Sequence, residues 1–200
     1  MGNFSVTESK QREVISAAVK AVVGQIHKNA DSANAVFSAE ASLHEGLLSD
    51  IQIRQFSLIS DEPVSLGGTD EGPNPVELVL GAFAACQEIV IAAYAAVLDI
   101  PVQRVKVTVD GHLDLRGFFN VSDQVRPGFG SITYKTEIVT SEPDPAKLEQ
   151  LKYFALNRCP VLDILQNPVP TQGSITIARP EAAVVGVADA DADWDNALKS

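Results

Sequence analysis

Asn74-Pro75-Val76-Glu77-Leu78-Val79-Leu80-Gly81-Ala82-Phe83-Ala84-Ala85-Cys86-Gln87-Glu88-Ile89-Val90-Ile91-Ala92-Ala93-Tyr94-Ala95-Ala96-Val97-Leu98 is the stretch from which the rest of the chain is read. Asn74 can cap a helix, Pro75 suits its first position, and Glu77 stands three residues after the Asn, where it can reach back to the cap amide. Asp99 and Pro101 stop it. Between Val76 and Leu98 only Glu77, Gln87 and Glu88 are strongly polar, so the predicted helix is apolar around almost its whole circumference. A helix lying on one sheet needs only an apolar stripe, so something must cover its second side. The same length could cross a bilayer, but two carboxylates in hydrocarbon cost several kcal/mol each, which favours a buried helix over a membrane span.

On the N-terminal side, Val14, Ile15, Ala18, Val19, Val22, Val23 and Ile26 follow helical spacing and predict an amphipathic helix within Thr7 to His27. Asn34 to Ser60 reads as strands: Val36 to Leu43, a turn near Glu45-Gly46, then Ile51 to Ile59 in near alternation. That alternation places Ile51, Ile53, Gln55 and Ser57 on one face and Gln52, Arg54, Phe56 and Leu58 on the other. Asp61 to Pro75 holds three glycines and three prolines and is a long loop.

Beyond the apolar helix, Gln103 to Leu115 and Ser131 to Val139 alternate as antiparallel strands with one wet face. Arg116 to Gly130 joins them in a loop with three phenylalanines and two arginines. Asp144 to Asn157 is a helix, Cys159 to Leu165 a short one with Pro160 at its first position, and Thr171 to Ala178 a last strand. Strands before and after one central helix make the class α+β. The division is an N-terminal helical extension at 1–33, a core domain at 34–179 and an acidic, mobile tail at 180–200.

Composition narrows the function. Fifteen Lys and Arg against 26 Asp and Glu leave a formal charge of −11, which disfavours nucleic acid and anionic membrane as partners. The first thirty residues carry charges throughout and no apolar signal region, which predicts a cytoplasmic protein. His27, His44 and His112 stand singly, without the spacing of a metal site, and Gly67-Gly68 lacks the strand, helix and lysine of a phosphate loop. Neither a metal nor an organic cofactor is expected.

What remains is a pair of cysteines, Cys86 and Cys159, the only two in the chain. Cys86 reads either as a small apolar filler or as a nucleophile, and an apolar setting disfavours its thiolate unless a cation is brought to it. Cys159, between Arg158 and Pro160, stands at a helix N-terminus, where free amides favour a thiolate; a packed capping residue is the other reading.

Asp61-Glu62-Pro63, Leu66-Gly67-Gly68, Gly72-Pro73-Asn74-Pro75-Val76-Glu77, Ala84-Ala85-Cys86, Asp114-Leu115-Arg116-Gly117-Phe118, Arg126-Pro127-Gly128-Phe129 and Arg158-Cys159-Pro160-Val161 occur in that order. Together they resemble the OsmC/Ohr family of osmotically induced and organic-hydroperoxide-resistance proteins, over about Asn34 to Ala178. The resemblance implies an α+β fold with antiparallel sheets around the long apolar helix, built as an intertwined homodimer in which the two central helices cover each other. It also implies a thiol peroxidase: Cys86 attacks the hydroperoxide, becomes a sulfenic acid and condenses with Cys159 to a disulfide that a dithiol reductant reopens. Active members use an Arg at the thiolate and a Glu directly after the Asn-Pro. Here that position is Val76 and the carboxylate follows at Glu77, about 13 Å along the axis from Cys86, so it could reach only the other subunit's cysteine. A capping box is the simpler role for Glu77. Arg54 is the best placed cation by pattern, with Arg116 and Arg126 behind it. Phe83, Phe118, Phe119 and Phe129 are candidates to line an apolar pocket. The competing function is a non-catalytic dimer holding a small hydrophobic ligand between its subunits, its cysteines merely packing.

Overall fold

In the computed structural model, which describes residues 9–179, the cap that begins the apolar helix is formed as its residues dictate. Asn74 Oδ1 accepts from the Glu77 amide and Glu77 Oε2 accepts from the Asn74 amide, both at 2.9 Å, ahead of α2 (Pro75–Val97). The order is α1 (Ser9–Lys28), β1 (Glu40–Leu43), β2 (Ser49–Ile53), β3 (Phe56–Ser60), α2, β4 (Val102–Leu113), α3 (Leu115–Phe118), β5 (Phe129–Thr140), α4 (Pro145–Asn157) and α5 (Pro160–Gln166). Strands β1, β2 and β3 make one antiparallel sheet in that order, and β4 and β5 a second, two-stranded one.

Helix α2 packs on β4, α1, α4 and α5. Two apolar clusters run along it. Towards its C-terminus Ile91 and Ala95 meet Ile100, Val102, Leu151 and Ala155; in its middle Phe83 meets Cys159 and Leu162. Full burial of side chains the size of Phe83, Ile91 and Leu151 stabilises the fold by about 1.5–3 kcal/mol each. By length and composition α2 could cross a membrane, yet Phe83, Gln87, Ile91, Ala95 and Ala96 are buried within the fold. Its cover is incomplete: α1 lies against its C-terminal half, where Arg12 pairs with Asp99 at 3.3 Å, while Val79, Gly81, Ala82, Ala85 and Ile89 form an exposed stripe.

Three readings of the sequence are corrected. Ile51 to Ile59 is not one strand: the chain reverses at Arg54-Gln55, with Arg54 in the left-handed region at φ 55°. Ile51 pairs with Leu58 and Ile53 with Phe56, so these four share one face, with Gln52 and Ser57 on the other. Two-residue hairpin turns demand positive φ and usually take Gly or Asn, which is why Arg-Gln gave no turn signal. The first strand starts at Glu40, and Val36 and Phe37 before it are more than 90% exposed. Thr171 to Ala178 forms no strand; Ile175 and Ile177 are each 93% exposed, because alternation supplies a strand face but not the neighbouring edge a strand must pair with. In addition, Phe129 belongs to β5 rather than to the loop before it, and Leu115 to α3 rather than to β4. The 180–200 tail lies outside the described residues.

The 61–73 loop is organised around a carboxylate. Asp61, 2% exposed, accepts from the Thr69 hydroxyl at 2.7 Å, the Thr69 amide at 2.9 Å, the Glu62 amide at 2.8 Å and the Glu71 amide at 3.3 Å. Gly68 is required where it stands, since a Cβ there would come within 1.8 Å of the Glu62 carbonyl oxygen. Ser60 closes the loop by donating to the Pro73 carbonyl at 2.9 Å, which delivers the chain to the start of α2. The Thr69 hydroxyl above all, with the three amides and against the opposing effect of burial, holds Asp61 down from 3.8 to about 2. A depressed carboxylate stabilises the fold above its unfolded pKa and loses that contribution as pH falls through the folded one. The melting-temperature gap between wild type and Asp61→Asn is therefore expected to be widest above about pH 4 and to close towards pH 2; thermal melts across that range check it, and a gap independent of pH would refute it.

Candidate functional site

Cys86 is placed by the rotation of α2, and that rotation is fixed from both sides. Phe83, one turn earlier, is fully buried and meets the Tyr134 ring edge-on at 5.0 Å. Gln87, the next residue, is 1% exposed and its Oε1 accepts a hydrogen bond from the Thr136 hydroxyl on β5. With both neighbours committed inward, Cys86 is half-buried at the edge of the middle cluster, beside Val90, Val109, Ile132 and Tyr134.

Cys159 reaches the same cluster from the other end of the chain. Asp144 caps α4 by accepting from the Ala146 amide at 2.9 Å, Leu151 and Ala155 bury the helix against α2, and Arg158 ends it. Cys159 then caps α5, its carbonyl accepting from the Asp163 amide at 3.0 Å, and is 2% exposed. Burial is the largest influence on this thiol and raises its pKa; the amides of Leu162 and Val161 pull the other way, and the neighbouring Cys86 thiol adds to the rise. The helix start thus does not make Cys159 a thiolate, because desolvation outweighs the amides.

The other expected residues fall into place unevenly. Glu77 is engaged in the capping box. Arg54 lies at the β2–β3 turn, its guanidinium 5.2 Å from the centre of the Phe56 ring. Arg116 is bound to Asp114, Nε to Oδ1 at 3.0 Å, which holds the Asp114 carboxyl down to about 2 and raises Arg116 in turn. Each of the three is engaged within its own segment, Glu77 with Asn74, Arg54 over Phe56 and Arg116 with Asp114.

Two of the clefts along the helix border the candidate residues. One of about 370 Å³ opens onto the cysteine cluster and is lined by Phe83, Phe129, Tyr134, Leu162 and Arg126 among others. A larger one of about 630 Å³ lies at the start of α2, between Val76, Glu77 and Leu80 on one side and His112, Phe118 and Phe129 on the other. Phe119 lines neither; it meets Phe118 edge-on at 4.9 Å and is half exposed. His44 bonds Asp50 on β2, and His27 sits in the last turn of α1. Sequence reasoning missed the inward lock of Gln87 on Thr136. Its one visible signal was a polar residue interrupting an apolar helix.

The fold, with its long helix packed on a two-stranded sheet, has counterparts among solved structures. The chain is similar to an OsmC-like protein from Mycoplasma pneumoniae at 20% identity and TM-score 0.57, over 68% of this chain and 90% of that one. It is also similar to an OsmC-like protein of unknown function from Vibrio cholerae at 13% identity and TM-score 0.54, over 65% and 93% of the two chains. No curated protein matches it significantly. At such identities the likeness speaks for the fold alone, which is the α+β fold of OsmC-like proteins. The sequence model of one family, described as OsmC-like protein, covers residues 68–173, from the Gly68 turn through α2 and both cysteines to the end of the α5 region, and so more than half of the chain. The chain belongs to the OsmC-like protein family.

Proposed function

We propose that the protein is a cytoplasmic thiol-dependent peroxidase that reduces organic hydroperoxides with Cys86 as nucleophile and Cys159 as resolving thiol, in defence against oxidative stress. The observation that carries this reading is that the only two cysteines of the chain, 73 positions apart, meet in one apolar cluster, Cys159 buried within it and Cys86 packed against it. Cys86 Sγ, as thiolate, attacks the terminal oxygen of R–O–O–H; the O–O bond breaks, the alkoxide takes a proton and leaves as R–OH, and Cys86 carries S–OH. Cys159 Sγ then attacks the Cys86 sulfur, the S–O bond breaks, water leaves with the thiol's proton, and the S–S bond forms. A dithiol reductant returns both thiols and is itself oxidised to a disulfide.

The half-buried position suits Cys86 to the first step and the deeply buried one suits Cys159 to the second, which needs no access for the hydroperoxide. Because Cys159 is held above the ordinary thiol range, little of it is thiolate near neutrality. Resolution is therefore expected to speed up with pH, by about tenfold per unit below the Cys159 pKa. Cys159→Ser is expected to stop at the sulfenic acid, trapped by dimedone at one label per chain, where wild type gives a disulfide. Quenched-flow alkylation with mass spectrometry checks both, and absence of any dimedone adduct in Cys159→Ser under hydroperoxide would refute the reading.

The working unit in this proposal is a homodimer. The stripe Val79, Gly81, Ala82, Ala85 and Ile89 on α2 and the apolar face of the three-stranded sheet, where Phe56 and Leu58 are about half exposed, are surfaces that a second copy would cover. Small residues at 81, 82 and 85 let two such helices approach closely. A charged partner for Cys86, Arg54 or Glu77, then comes from the other subunit. The larger cleft, lined like the smaller one by neither cysteine, favours a second reading, a non-catalytic dimer that binds a small hydrophobic ligand; in that case Cys86→Ala leaves ligand binding unchanged and hydroperoxide is not consumed.

A further inference from the structure

The larger cleft, about 630 Å³ at the start of α2, combines apolar walls with acidic residues. Val76, Leu80, Phe118 and Phe129 are among its apolar residues, Glu62, Glu77 and Asp110 are its acids, and no Lys or Arg lines it. Glu77 is spent on the helix cap. Glu62 is not: it is half-buried, and its carboxylate has no hydrogen-bond or ion-pair partner among the described residues. Its backbone is nonetheless held, the amide donating to Asp61 at 2.8 Å and the carbonyl accepting from the Asp70 amide at 3.2 Å.

The two rings are also fixed in place. Gly111 makes room for Phe129, since a Cβ there would lie 2.5 Å from the ring carbon Cε1. Phe118 is carried by α3, where a Cβ at Gly117 would lie 2.3 Å from the Arg126 carbonyl oxygen. A second copy on the exposed stripe of α2 would leave this cleft open: at about 100° per residue, Val76 and Leu80 stand on the opposite side of the helix from Ala82, Ala85 and Ile89.

We propose that this cleft binds small organic cations with an apolar body, the ammonium group held between the Glu62 carboxylate and the rings of Phe118 and Phe129, and the body lying against Val76 and Leu80. Ring faces attract a cation, and a half-buried carboxylate neutralises it. Charge complementarity selects this occupant: a neutral ligand would leave Glu62 unused, and an anionic one would be repelled by Glu62 and Asp110 in a chain of charge −11. The volume is in the range of small-molecule sites. The proposal deepens the ligand-binding reading of this cleft and rests on it; the charge of the ligand is the new element.

Benzyltrimethylammonium and benzyl alcohol, which share an aryl group and differ in charge, are the probes, titrated against the full reduced chain by NMR or calorimetry. The ammonium is expected to bind more tightly, and Glu62→Gln to weaken it about three- to fivefold, the size expected of a partly exposed charge pair, with the alcohol unaffected. Glu62→Asp keeps the charge on a shorter stem and is expected to recover part of the loss. Added salt is expected to weaken the ammonium alone. Phe118→Ala is expected to weaken both probes, the ammonium more, which ties the binding to this cleft. The Glu62 carboxylate has no partner among the described residues, so its variants should melt with wild type. Alcohol binding as tightly as the ammonium, or ammonium binding equally tight in Glu62→Gln, would overturn the charge preference and spare the ligand-binding reading. Binding of neither probe would overturn both.

Discussion

Replacing Cys86 by Ser is expected to lower the consumption of tert-butyl hydroperoxide by at least about a thousandfold, because an alkoxide cannot form at Ser near neutrality and no other group in the cluster is a nucleophile of comparable strength. Among the hydrophobic residues of the middle cluster only Tyr134 and Cys159 carry a polar group beside that of Cys86. Cys159 cannot stand in. It is 2% exposed and its pKa is raised, so it is neither open to the hydroperoxide nor charged. The fold should tolerate the change, since Cys86 is half-buried and Ser differs by one atom. A ferrous-oxidation assay of residual hydroperoxide, run beside thermal melts, separates loss of chemistry from loss of structure. Retained consumption in Cys86→Ser would remove the nucleophile from the proposal.

The second large effect belongs to the α2 stripe. If a second copy covers it, Ala85→Glu places a carboxylate from each subunit in an apolar helix–helix contact. Removing an unpaired charge from water costs several kcal/mol, so dimer dissociation is expected to strengthen by a hundredfold or more, and sedimentation velocity at micromolar concentration should show monomer. Ala85 is exposed in the single chain, so the same change costs the protomer's own fold little. An Ala85→Glu protein that sediments as wild type would show that the stripe is not the contact. Loss of hydroperoxide consumption together with the dimer would further support a site completed by the other subunit.

What could be read from the residues alone follows the range of the forces involved. The start of α2 is legible because Asn74, Pro75 and Glu77 satisfy one another within four residues. The long strands β4 and β5 are legible because alternation of Val105, Val107 and Val109 is a local pattern. The reversal at Arg54-Gln55 is not, since a non-glycine residue takes the left-handed conformation and the pairing of Ile51 with Leu58 enforces it. Thr171 to Ala178 fails as a strand for a related reason: its pattern is local, but its pairing would have to come from elsewhere.

At the site, Cys86 and Cys159 stood out by scarcity and by their places on an apolar helix and at a helix start. Their neighbours did not. Gln87 meets Thr136 across 49 residues of chain, and Asp61 gathers donors from a loop whose course its composition leaves open. The same distance effect explains why burial reversed the expectation for Cys159: a start signal is written in adjacent residues, whereas desolvation is imposed by everything packed around the thiol.

The most direct test of the central claim is the intact mass and free-thiol count of the wild-type chain after one equivalent of an organic hydroperoxide. A Cys86–Cys159 redox pair predicts loss of two thiols per chain, a mass lower by two hydrogens, and a single intrachain disulfide linking the peptides that contain Cys86 and Cys159, all restored by a dithiol. Two free thiols and an unchanged mass, with the hydroperoxide left unconsumed, would contradict it.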